Sequence, residues 1–120
     1  MVGLLVPWRT VARSNGRRYV FEPGSLFITG RIPLLVEHAW SARVGWVDAL
    51  RHDPDGCHGL FTITDRRPVH RHRGLSIFPD YGSIRWHRSP EFPNARVVTS
   101  CRLVEVSLTS RPRFPQARIT

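Results

Sequence analysis

The chain has 120 residues, of which 41% are hydrophobic, and its 18 basic side chains against 9 acidic ones give a net charge of +9. That length makes one domain, 1–120, burying roughly two-thirds of its unfolded surface, and the apolar share argues against intrinsic disorder. No apolar run approaches the ~20 residues of a membrane helix, and Val2 to Trp8, interrupted by Gly3 and Pro7 with no basic residue before it, does not read as a secretory signal.

In chain order the pattern is one of short strands between turns, as expected where 9 glycines and 10 prolines leave little room for long helices. Arg18 to Glu22 ends at the turn pair Pro23-Gly24, and Ser25 to Thr29 ends at Gly30. Ile32 to His38 follows, with Pro33 near its start, where a missing N–H does least harm. Arg43 to Leu50 precedes the turn Asp53-Pro54-Asp55-Gly56. Gly59 to Thr64, Gly74 to Phe78 and Ser83 to His87 come next. Arg96 to Ser100 and Arg102 to Leu108 close the set, the latter being the clearest strand. A single short helix fits near Val36 to Arg51 or between Pro90 and Arg96. The expected class is mainly β with minor α, a small antiparallel barrel or sandwich. The N-terminal ~17 and C-terminal ~8 residues read as peripheral, the last ten trailing over the surface.

Three polar residues could carry chemistry. His38 closes an apolar run, so packing could hold it while one nitrogen stays accessible to act as a base. Its plain alternative is a strand-end histidine meeting water. Ser76 alternates with Leu75 and Ile77, which puts its hydroxyl on the face away from them. It is a nucleophile only if a base lies within hydrogen-bond reach, and otherwise a solvated serine. Glu105 shares one strand face with Ser107 and could orient a histidine, or simply keep the strand soluble. Three strands could bring this serine, histidine and acid onto one exterior patch. Cys57 and Cys101 form neither a disulfide framework nor a CxxC motif, so a reducing cytoplasm is the default compartment.

With these residues in place, the chain resembles the prohead (capsid-maturation) serine proteases of tailed phages, relatives of the herpesvirus assemblins. Pro33-Leu34-Leu35-Val36-Glu37-His38 with Val44-Gly45-Trp46-Val47 is similar to the family's histidine block. Gly74-Leu75-Ser76-Ile77 is similar to its serine block. Leu103 to Pro112 with Pro115-Gln116-Ala117 is similar to its ending. The resemblance implies a small β-barrel flanked by helices, with His38 as general base, Ser76 as nucleophile and Glu105 as the orienting acid. It implies no cofactor or metal, with phage scaffold and major capsid protein as substrates and with dimerisation as in its relatives. The implied place is the host cytoplasm, inside the assembling prohead. Two departures stand out: the segment between Leu60 and Ser76 is short, and Phe78-Pro79 replaces a glycine near the nucleophile. An inactive, trimmed relative is therefore one alternative.

The second alternative is a basic nucleic-acid-binding β-barrel, built on the Arg66 to Arg73 run with Phe61, Phe78, Tyr81 and Trp86 as stacking surfaces. The plain reading of that run is a solvated arginine loop, since GC-rich coding explains an all-arginine basic set as readily as a need for bidentate donors. A third reading takes His52, Cys57, His58, His70 and His72 as metal ligands, although they fit no standard zinc spacing.

Overall fold

The computed structural model describes residues 1–14 and 16–120. Its ten strands are β1 (Val2–Pro7), β2 (Ala12–Ser14), β3 (Arg17–Phe21), β4 (Leu26–Phe27), β5 (Ile32–Val36), β6 (Ala39–His52), β7 (Gly56–Ile63), β8 (Gly74–Pro79), β9 (Arg85–His87) and β10 (Arg96–Thr109). The protein is mainly β, as expected. No α-helix flanks the sheet among the described residues; the helical content is two 3-10 turns, Arg67–His70 and Tyr81–Ser83. No helix is long and apolar enough to cross a membrane.

The spine is β10. Residues of β3, β4 and β5 pair with it in parallel register, while β8 and β9 pair with it antiparallel. Its register places Val106 opposite both Leu34 of β5 and Ile77 of β8, so the C-terminal half of β10 lies between those two strands. From β5 the sheet continues through β6 and β7 to β1, curling into an open half-barrel. Leu34, Leu35, Leu75, Leu103 and Leu108 are fully buried against this curl. Each such side chain contributes about 1.5–3 kcal/mol when removed from water.

Several expectations are corrected. Both termini belong to the core: Leu5 and Val6 are buried in β1, and Phe114, Ala117 and Ile119 are buried near the other end. The C-terminal residues lie between β1 and β8, where the Leu4 amide donates to Arg118 and the Leu75 amide to Ala117. Apolar side chains at these positions supply a seam that two prolines do not prevent, because the two bridges, Gly3 to Ile119 and Gly74 to Arg118, lie beyond both prolines. Gly3 allows the approach, since a Cβ there would stand 2.9 Å from the Arg118 carbonyl oxygen. The region considered for a helix, Val36 to Arg51, is mostly strand β6, paired with β5 and β7 on its two sides. The second helix candidate, Pro90 to Arg96, holds turns and the start of β10. The two strands expected from Arg96 to Leu108 are one, because Cys101 continues the ladder through β4.

A candidate catalytic site at the β5–β6 hairpin

The histidine sits in a hairpin turn, beyond the strand end where the sequence placed it. Val36 pairs with Ala39, leaving Glu37-His38 as a two-residue loop. Both loop residues are left-handed, with φ of 49° and 60°. This is the backbone of a type I′ turn, which matches the twist of the strands and favours Asn-Gly. A glutamate and a histidine held there cost of order 1–3 kcal/mol each, so surrounding contacts must hold the turn.

The hydrogen bonds come from the end of β10 and the residue that follows it. The Glu37 amide donates to the Leu108 carbonyl at 2.9 Å. The Glu37 carboxylate accepts from the Thr109 hydroxyl at 3.0 Å and from the Ser110 amide at 2.9 Å. The His38 amide donates to Ser107 Oγ at 2.9 Å. Partial burial works against ionising Glu37, but the Ser110 amide, the Thr109 hydroxyl and the neighbouring His72 and His38 together hold its pKa below the ordinary carboxylate value.

From this pinned turn the imidazole reaches across β10 to β8. Its Nδ1 contacts the Glu105 carboxylate in a short hydrogen bond. Its Nε2 lies 3.2 Å from Ser76 Oγ. Neighbouring strands stand about 4.8 Å apart, so an imidazole starting beside β5 is the right length to touch the middle strand with one nitrogen and the far strand with the other. Ser107 and Ser76 are cross-strand partners, and Glu105 lies two positions along the same face. The Ser107 hydroxyl donates to the second Glu105 oxygen at 3.0 Å. Glu105 is 1% exposed. The surface-charge reading of this residue is thereby corrected: β10 is covered on both faces here, so its polar face is enclosed by the hairpin.

Ser107, which the sequence reading noted only as sharing a strand face with Glu105, joins the candidate site. Its position two residues after Glu105, on the same strand face, was the available signal. Its hydroxyl is fully buried and engaged on both sides, which makes it a support. Cys101 is buried, which pushes its thiol up to about 12 and keeps it from acting as a thiolate. Ser83 is also taken, donating to the Asp80 carbonyl and accepting from the Arg102 amide.

Phe78, the bulky departure beside the nucleophile, shares the outer face with Ser76 by alternation. Its ring stands edge-on to His38 with centroids 6.0 Å apart. It walls one side of the site and does not come between Nε2 and Oγ. Beside β8, a cavity of about 20 Å³ is lined by Leu75, Ser76 and Ile77 of that strand together with Leu5, Phe21 and Phe114. Room for about one water makes it a core void rather than a substrate pocket.

The five proposed metal ligands do not converge. Among the described residues the one grouping of metal-ligating atoms is Asp53, Asp55 and His58. Arg51 already donates to Asp53 there at 2.8 Å. Comparison with protein-family models, with curated proteins and with solved structures finds no match. Ser76, His38 and Glu105 form one hydrogen-bonded row across β8, the hairpin and β10.

Proposed function

We propose that the chain is a serine-type endopeptidase acting through Ser76, His38 and Glu105. In finer detail, it is an enzyme of phage prohead maturation that trims scaffold and capsid-protein N-terminal segments. The observation that carries the reading is the unbroken line from Ser76 Oγ through the His38 ring to Glu105. The finer reading draws on the order and surroundings of these residues in the sequence.

With Nδ1–H donated to the Glu105 carboxylate, the Nε2 lone pair faces the serine hydroxyl. His38 takes the Ser76 proton as Oγ attacks the scissile carbonyl, then gives it to the leaving amine. Water repeats the exchange on the acyl-enzyme, with His38 again as base. Glu105 keeps its two oxygens on His38 and Ser107, which fixes the ring and favours the imidazolium formed at each step. The His38 side chain is 36% exposed and Phe78 44%, whereas Ser76 is 6% exposed, so the row meets solvent at the imidazole and the serine lies beneath it.

A fluorophosphonate probe tests the chemistry without knowledge of the substrate. Covalent labelling of the wild type at Ser76, lost in Ser76→Ala and in His38→Ala, is expected. Labelling that persists in a folded Ser76→Ala variant rejects the assignment. Co-expression with a scaffold or capsid protein tests the finer reading, with cleavage abolished by the same two changes.

A further inference from the structure

A second feature lies away from the relay. Arg13 of β2, Arg17 and Arg18 of β3, Arg88, Asn94 and Arg96 line an open groove of about 300 Å³. No acidic side chain lines it. The carboxylate-paired arginines of the described chain are Arg9, Arg51, Arg67 and Arg102. The five groove arginines pair with no carboxylate among the described residues, and like charges gathered in one recess repel unless an anion enters.

Two of these side chains are nevertheless held in place. The guanidinium carbons of Arg96 and Arg88 lie 4.3 and 5.2 Å from the centre of the exposed Trp86 ring. A ring face positions a guanidinium without neutralising it, so the N–H fork stays available for a phosphate. Arg17 and Arg96 also border an adjoining recess of about 220 Å³, walled by Tyr19, Tyr81 and Trp86. A charged groove that shares its walls with an aromatic recess suits a chain carrying a phosphate and a planar base in each unit. An acidic peptide would use the charge and leave the recess idle.

We propose that this groove and recess bind single-stranded nucleic acid, with phosphates on the arginines and bases against the aromatic side, without sequence preference. The surface differs from the Arg66 to Arg73 run singled out by the sequence. There Arg67 is occupied by Asp65, and the segment folds around a 3-10 turn.

The test is fluorescence anisotropy with a labelled oligo(dT) of about ten nucleotides across a salt series. Affinity should fall with salt by about 0.7 log units per log unit for each phosphate neutralised. Arg17→Ala/Arg96→Ala should weaken binding at least tenfold and lower that slope by about 1.4, two phosphates' worth. Arg66→Ala/Arg71→Ala should leave both values unchanged. Circular dichroism establishes that each variant is folded. Absence of binding at low salt, or an unchanged slope in the folded groove variant, overturns the proposal. So does a labelled acidic peptide of equal charge that binds as tightly, because the recess would then contribute nothing.

Discussion

Ser107→Ala probes the support beneath the proposed relay. The substitution leaves the Glu105 oxygen and the His38 amide each without the partner they have at 3.0 and 2.9 Å. An unsatisfied buried polar group costs about 1–3 kcal/mol, with a carboxylate toward the upper end. Ser107 is 0% exposed and Glu105 1%, so water gains little access to replace the lost bonds. Removing the serine hydroxyl also relieves its own burial, which brings the expected net loss to about 2–4 kcal/mol. For a chain of this length each kcal/mol shifts the melting temperature by roughly 3–5 °C, so calorimetry should record a drop of about 6–20 °C. The fluorophosphonate reaction should slow as well, because the turn carrying His38 loses one of its ties to β10. Ser76→Ala is the control, expected to abolish labelling while shifting stability by less than about 1 kcal/mol. A folded Ser107→Ala protein that loses less than about 0.5 kcal/mol and labels at the wild-type rate would refute the view that Ser107 holds Glu105 and the hairpin together.

Three further outcomes are expected. Glu37 has its pKa held below the ordinary 4.5, so its stabilising contribution is present above that value and fades as pH falls through the lower folded one. Acid unfolding of Glu37→Gln, followed by circular dichroism, should therefore show a shallower loss below pH 4.5 than the wild type does. Gly74→Ala places a Cβ 2.6 Å from the Thr109 carbonyl oxygen, so β8 must shift against β10, and the probe reaction at Ser76 should slow while most of the fold survives. Burial raises both Cys57 and Cys101 to about 12, so an aromatic disulfide reagent at pH 8 should modify neither thiol until denaturant is added.

The relay residues were legible as candidates because each broke a local pattern. His38 ended an apolar run, Ser76 interrupted Leu75 and Ile77, and Glu105 stood among valines. What each would do was not legible from position. A carboxylate in mid-strand reads as a solubilising charge when one sheet face meets water, and Glu105 is buried because β5, β8 and the hairpin enclose it. His38 read as a strand residue because Glu37-His38 carries no glycine or asparagine to mark a type I′ turn. Long-range bonds to Ser107, Leu108, Thr109 and Ser110 make that turn tenable.

Alternating apolar and polar residues, with turn signals at short intervals, determined a β-rich chain without long helices and placed most strands near their observed positions. They also specified which face of β8 carries the serine, since strand periodicity is a local property. Tertiary structure decided the rest: the burial of both ends, the merging of two expected strands into β10, and the gathering around one groove of five arginines that have no carboxylate partner among the described residues. Each depends on partners far away in sequence. Backbone amides and charged side chains take the neighbours that the folded sheet provides, and no local window of residues contains that information.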